Sequence, residues 1–455
     1  MDVAAPKAGA LLSRANRQWH IMIRSLFRWQ TLTGIALGLV AGSVMALWFG
    51  GKGDTPPNGP IISESDGHLR ELVIQYEPAA KEIVATPYRH FLGALEADVT
   101  VQVICPSRAA YEELTNLAGR VRCALRPIVV NHAMTTWSRD RWVALGPASS
   151  GGGLTLWSPR GEASEELWPA RAGDERIGGD IAAALTPSVV ARRSPLYFDG
   201  GDFLADADNV FVGPRVLPRN IQRTMQTKDE LLRTFSQVFK RRVILLDEAP
   251  DHHVAMYMVS IGDRRMMVGD PSLGRGLWPA GTNASTHSLD FPGGPDFSPQ
   301  TQHLFDAVAA QCARASYQVI RVPTIPSGDS RSYLTYVNVL LDQQPGRRIV
   351  YLPFYRGAEP LNAAARKIWE DAGYEVRPVD CTTTWRQFGC LHCLVNVLRR
   401  GPSAAGSWEP STPNWTRNIQ HSTPNIEGRA KPAFLGRRNL NVSSVEGKWG
   451  YFGGR

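Results

Sequence analysis

Between about residue 65 and residue 400 the chain alternates short apolar runs of strand length with longer stretches of helical periodicity. "VTVQVI" (99–104) reads as a strand and "PSRAAYEELTNLAG" (106–119) as a helix opened by a serine cap. "RVILL" (242–246), "AMYMVSI" (255–261), "RRMMVG" (264–269) and "RRIVYLP" (347–353) are further strands. "LNAAARKIWEDAG" (361–373) is a helix ending at Gly373, and the strand "YEVRPVD" follows it. Strands and helices in alternation define an α/β class, and no linker-like stretch divides the region.

A different pattern precedes it. "WQTLTGIALGLVAGSVMALWFGG" (29–51) holds no charged residue. At ~1.5 Å per residue it is long enough for a bilayer core of ~30 Å. Basic residues precede it and "GGKGDTPPNGP" follows. The expectation is a basic cytoplasmic N-terminus (1–30), a transmembrane anchor (31–51) and a linker (52–64), with the domain at 65–400 exported to the periplasm or outside. A cleaved signal peptide, with Val44 and Ala46 at the cut, is the weaker reading. Gly34, Gly38 and Gly42 recur at the spacing of small-residue helix contacts, which in a membrane span are commonplace. From 401 to 455 the sequence turns rich in Pro, Ser, Asn and Gly without periodicity and reads as a largely disordered tail.

Composition changes this picture little: 43% hydrophobic and 20% charged residues belong to a folded chain with a sizeable core. The net charge of +8 changes it more once located. All of it sits on the two ends, residues 1–30 and 401–455, and the body between is neutral overall. A basic groove for nucleic acid on the folded body is thereby disfavoured.

The chemistry-bearing residues start with six cysteines: Cys105, Cys123, Cys312, Cys381, Cys390 and Cys393. In "FGCLHCLVNVLRR" (388–400), Cys390, His392 and Cys393 admit three readings. They are half of a zinc clip, one end of a disulfide, or the setting of a nucleophile. A zinc site needs a second ligand cluster, which the chain lacks, and a Cys390–Cys393 bridge would close a strained loop. A nucleophile needs partners for proton traffic and substrate orientation. Three stretches offer them: "TTWSRDRW" (135–142) with Asp140, "LYFDGGDFLAD" (196–206) with Asp199 and Asp202, and "DHHVAMYM" (251–258) with His253 at the start of a strand. Each alone is compatible with an ion pair, a turn or a structural histidine.

In this order, an Asp, an acid-Gly-Gly-Asp, a His and a late His-Cys resemble the guanidino-group-modifying (pentein) superfamily. Its members include agmatine deiminases, arginine deiminases, dimethylargininases and peptidylarginine deiminases. "LHCLVNVLRR" looks most like the end of the peptidylarginine deiminase catalytic domain. "SYLTYVNVLLD" (332–342), followed by "RRIVYLPFY", resembles the penultimate repeat of that family and of agmatine deiminases. The resemblance covers roughly residues 65 to 400. It implies a five-bladed α/β propeller of ββαβ units around a polar site, and hydrolysis of a guanidino to a ureido group with release of ammonia. The substrate is then a peptidylarginine or, as the alternative, a small guanidine such as agmatine.

The same resemblance implies Cys393 as nucleophile, His253 as general acid and base, Asp140 as the main guanidinium-binding carboxylate and Asp199 as a second binder. The residue types suit the task. Carboxylates grip a planar cation in bidentate fashion, and a bound cation favours an ionised sulfur. One departure stands out. The family often reads His-x-Asp where this chain reads His253-Val254-Ala255, so the acid after the histidine is absent, and Asp202 or Asp251 are the stand-ins at hand. A binding protein with an impaired site, and a Cys–His hydrolase or amidinotransferase, remain the competing classes. No cofactor is called for. Vertebrate peptidylarginine deiminases depend on calcium, and no clustered acidic loops here demand it.

Overall fold

The alternation along the chain is built as small β-sheets, each with a helix in its crossover. The structure is a computed structural model that describes residues 59–147, 153–278, 289, 291 and 293–401. In chain order, β1 (Leu69–Gln75), α1 (Lys81–Ala94), β2 (Thr100–Cys105), α2 (Arg108–Ala118) and β3 (Ala124–Val129) come first. β4 (Val143–Leu145), β5 (Leu154–Ser158), α3 (Pro169–Ala184) and β6 (Val189–Arg193) follow. Next are β7 (Phe203–Ala205), β8 (Asn209–Val212), α4 (Val216–Asn220), α5 (Lys228–Phe239) and β9 (Arg242–Leu245). Then come β10 (Met258–Ser260), β11 (Arg265–Asp270), α6 (Pro271–Leu277), α7 (Pro299–Arg314), β12 (Gln318–Pro326) and β13 (Tyr333–Thr335). The chain continues through β14 (Leu340–Gln344), β15 (Arg347–Phe354), α8 (Glu359–Asp371), β16 (Glu375–Asp380), α9 (Leu391–Leu394) and β17 (Val395–Arg400).

Among the described residues these strands form five sheets, and one grammar repeats in them. A first strand runs antiparallel to a second, and a helical crossover returns the chain parallel to the second. β4-β5-β6, β7-β8-β9, β10-β11-β12 and β14-β15-β16 all obey it. The fifth sheet is closed by the two ends of the body, because β17 pairs antiparallel with β1, which is parallel to β2. Parallel crossovers need helices on the sheet faces, which explains the continuous apolar runs of β2, β11 and β15. Local caps agree: Ser107 accepts from the Ala110 amide to start α2, and Thr227 accepts from that of Glu230 to start α5.

Three sequence expectations are corrected. The strand read over 255–261 is broken, because residues 254–256 form a 3₁₀ turn and pairing begins only at Met258. The folded body begins before residue 65. Ile61 is buried and bridges to Leu145, and the buried Glu64 holds Arg139 and His392, so the last part of the segment read as linker is packed. The membrane placement is not upheld either: among the described residues no helix is long and apolar enough to cross a membrane. The stretches read as a basic N-terminus (1–30) and an anchor (31–51), and all but Gly401 of the one read as a tail (401–455), lie outside the described residues.

Candidate active site

One position recurs in the grammar of the sheets, the loop that enters the first strand. Asp140 lies just before β4, Asp199 and Asp202 just before β7, and His253 before β10. Asn338 lies before β14, and Cys393, on the one-turn α9, before β17. Four of these loops carry the residues that sequence reasoning singled out. The fifth, with Asn338, it missed.

Two glycines let the loops approach. A Cβ on Gly200 would lie 2.2 Å from the Arg139 carbonyl oxygen and 2.7 Å from that of Trp142. Without one, the Gly200 amide donates to the Asp140 carbonyl at 2.6 Å. A Cβ on Gly201 would lie 2.5 Å from Cγ and Nδ1 of His253. The "DGGD" turn is therefore a contact surface for both the Asp140 loop and the imidazole.

Two asparagines in matching "VNVL" segments stitch the remaining loops. Asn396 donates to the carbonyls of Ser138 and Trp142. Asn338 Nδ2 donates to the Ala255 carbonyl at 3.2 Å and lies 3.5 Å from Cys393 Sγ, while its Oδ1 accepts from the His392 amide at 2.9 Å. Arg139, buried against Glu64 at 2.6 Å, donates its backbone N–H to the Cys393 carbonyl. Cys393 is 3% exposed and packs with Met256, Tyr333 and Trp137.

His253 lies between carboxylates: Nδ1 is 3.9 Å from Asp140 and Nε2 is 3.6 Å from Asp199. Burial opposes a charged imidazole here. Interaction with Asp199, Cys393, Asp140 and Asp202 outweighs it and raises the pKa to about 10, so His253 is an imidazolium at neutral pH. Its neighbour behaves oppositely. His252 accepts the His253 amide on Nδ1 and faces the Arg331 carbonyl with Nε2, which fixes a neutral ring protonated on Nε2. Burial, with His253 and Arg215 nearby, holds its pKa well below the usual value.

Asp199 is surrounded by cations. Oδ1 accepts from Arg141 at 2.9 Å and Arg171 at 2.8 Å, and Oδ2 accepts from Arg219 at 3.1 Å and faces His253. Burial would raise its pKa, yet Arg171, His253 and Arg219 hold it well below the carboxylate range. Asp202 is completely buried. Its Oδ2 accepts from the Asp199 amide at 2.8 Å and from Arg219 at 3.2 Å. Burial, then the charge on Asp199, raises its pKa. These internal duties differ from the substrate contact expected of Asp202. Asp251 points to solvent beside Arg215 and supplies nothing to the site. The Ala255 side chain is buried in the apolar core, so the position of the missing acid is filled by packing.

The cluster at 390–393 is resolved by its partners. Cys390 Sγ lies 3.3 Å from the Tyr355 hydroxyl, His392 Nε2 is 3.1 Å from Glu64, and Cys393 faces Asn338 and His253. The three side chains face three different environments and do not converge as metal ligands would. All six cysteines are free thiols.

No protein-family model matches this sequence, and no curated protein matches it either. Solved structures do match. An agmatine deiminase from C. jejuni superposes with a TM-score of 0.54 at 15% identity, over 75% of this chain and 96% of the other. A protein assigned provisionally as a peptidyl-arginine deiminase gives 0.57 at 15% identity, over 75% and 99%. The agmatine deiminase of Enterococcus faecalis gives 0.53 at 12% identity, over 76% and 96%. At such identities the likeness speaks for the fold. The chain has the fold of the guanidino-group-modifying superfamily.

Proposed function

We propose that this protein is a hydrolase that converts a guanidino group to a ureido group and ammonia, with Cys393 as nucleophile. The observation that carries the reading is the gathering of Asp140, Asp199, His253 and Cys393 from four separate loops into one buried cluster. The repeated sheets are read as blades of a five-bladed α/β propeller with that site at its centre. Asp140 grips the guanidinium N–H groups and fixes the carbon against Cys393 Sγ. The thiolate attacks this carbon, and His253, already an imidazolium, gives its proton to the departing ammonia. A covalent thiouronium remains. Neutral His253 then takes one proton from water, whose oxygen adds to the carbon and expels the thiolate; the remaining hydroxyl proton leaves to solvent, giving the ureido product with His253 again an imidazolium. Asp202 holds the Asp199 turn, and Asn338 steadies Cys393.

The neighbours include agmatine deiminases and a provisionally assigned peptidyl-arginine deiminase, and a guanidinium on a slender alkyl arm is common to both substrates. Peptidylarginine is the first substrate to test and agmatine the alternative. The full chain is incubated with each, and ureido product and ammonia are measured. Ureido product and ammonia in equal amounts from either substrate support the reading; no turnover of either by folded protein refutes it. A second reading, a guanidine-binding protein with impaired turnover, is favoured by one observation: an internal arginine already sits on the carboxylates.

A further inference from the structure

That internal residue is Arg171, on the first turn of α3. Its Nη1 donates to Asp140 Oδ2 at 2.9 Å and its Nη2 to Asp199 Oδ1 at 2.8 Å, and Asp174 lies 3.8 Å away. One guanidinium thus spans the two carboxylates assigned to guanidinium binding, one through each nitrogen. Other arginines near the site have different anchors. Arg141 is 2% exposed and pairs with Glu175 at 2.7 Å as well as Asp199, and Arg219 pairs with Glu162 at 2.6 Å. Arg141 belongs to the buried frame, and Arg219 is shared among Glu162, Asp199 and Asp202. The Arg171 side chain is 29% exposed. The residues just ahead of it, Leu167 and Trp168, are exposed apolar side chains. The turn that carries Arg171 is therefore much less buried than the carboxylates it reaches.

We propose that Arg171 is a resident competitor in the guanidinium site, which a substrate guanidinium must displace from Asp140 and Asp199 before reaction. This deepens the deiminase reading and rests on it. The chemistry recognised is the guanidinium itself, because the resident group and the incoming one offer the same planar array of N–H donors. Displacement costs two charge-assisted hydrogen bonds, which the substrate remakes, so the resident lowers apparent affinity without removing the site. Discrimination follows. A ligand with one point charge, such as a simple alkylamine, replaces the pair of bonds poorly, whereas a guanidine replaces both. When Arg171 leaves, Asp199 Oδ1 keeps its bond from Arg141 and regains one acceptor position, and the second grip lost with Ala255 becomes available from a different loop.

The test uses full-length Cys393→Ser protein, in which turnover is blocked, titrated calorimetrically with agmatine. Arg171→Leu in that background is expected to tighten binding by about tenfold or more, as removal of a competing state does, with Arg171→Lys between the two. In the Cys393→Ser protein itself, saturating agmatine is expected to speed amide hydrogen exchange in the peptide spanning 164–175, a readout that needs no change at Arg171. Equal or weaker binding after Arg171→Leu, with exchange unchanged by agmatine, overturns the competitor role and leaves the deiminase reading standing. No binding by any of these proteins, either of agmatine or of a peptidylarginine titrated in its place, overturns both.

Discussion

Replacing Gly201 with alanine isolates the placement of His253. The new Cβ would stand 2.5 Å from Cγ and Nδ1 of the ring and 3.0 Å from its Cβ, where ordinary carbon contacts begin at about 3.5 Å. The ring must yield by about 1 Å, because Gly201 is anchored in a turn whose neighbour Gly200 is held by its amide bond to the Asp140 carbonyl at 2.6 Å. His253 already stands 3.6 Å from Asp199 and 3.9 Å from Asp140, so a shift of that size removes one or both interactions. Overpacking of this kind costs about 1–3 kcal/mol of stability. A misplacement of the general acid by ~1 Å costs about a hundredfold in turnover. Urea unfolding gives the first quantity, and kcat for ureido formation by the full chain gives the second. Gly179→Ala on α3 is the control: its Cβ meets nothing within 4 Å, and the change should stabilise by about 0.5–1 kcal/mol. A Gly201→Ala protein with unaltered stability and kcat refutes the account of how the turn positions the imidazole.

Cys393→Ser should abolish turnover, whereas Cys390→Ser, which disturbs buried contacts with Cys381 and the Tyr355 hydroxyl, should cost about 1 kcal/mol of stability and keep most activity; equal loss in both contradicts the assignment. Asp140→Asn removes the carboxylate charge beside His253 and Arg171, and kcat/KM should fall by the equivalent of about 2 kcal/mol. Undiminished kcat/KM shows that the substrate sits elsewhere. His253 also makes stability depend on pH. Its pKa rises from 6.5 to about 10 on folding, so its stabilisation is full below pH 6.5 and is lost as pH rises through about 10. The stability gap between the unaltered chain and His253→Gln should therefore shrink from pH 6.5 to 10. A gap that is constant or widens over that window contradicts the imidazolium.

Much of the fold was legible where one physical cue acted alone. The strand at Thr100–Cys105, the helix at Arg108–Ala118 and the helix–strand pair from Glu359 to Asp380 fall within a few residues of their periodicity. The strand expected from Ala255 failed because the 3₁₀ turn buries the same apolar residues a strand would, so composition could not tell them apart. The site divided similarly. Asp140, Asp199 and His253 became candidates through the resemblance that their order with Cys393 carries, since each alone also fits an ion pair, a turn or a structural histidine; the Gly-Gly pair was a local cue, and the close approach demands its small size. Asn338 carries no charge and sits in an apolar stretch, yet "VNVL" recurs at Val337–Leu340 and Val395–Leu398, and that repeat was the available signal. Arg171 had no signal: an arginine in the first turn of an amphipathic helix is ordinary, and only the fold brings it to acids from two other loops. The bonds of Asp202 to the Asp199 amide and Arg219 had no sequence signal, since an acid beside a turn looks the same whether it faces outward or holds the turn.

The central claim is that Cys393 forms a covalent bond to the guanidino carbon. It is tested most directly by acid-quenching the full chain during turnover of peptidylarginine or agmatine and mapping the adduct by peptide mass. The account predicts a thiouronium adduct on the Cys393 peptide, absent from Cys393→Ser. An adduct on Cys390, or ureido formation that continues in Cys393→Ser, contradicts it.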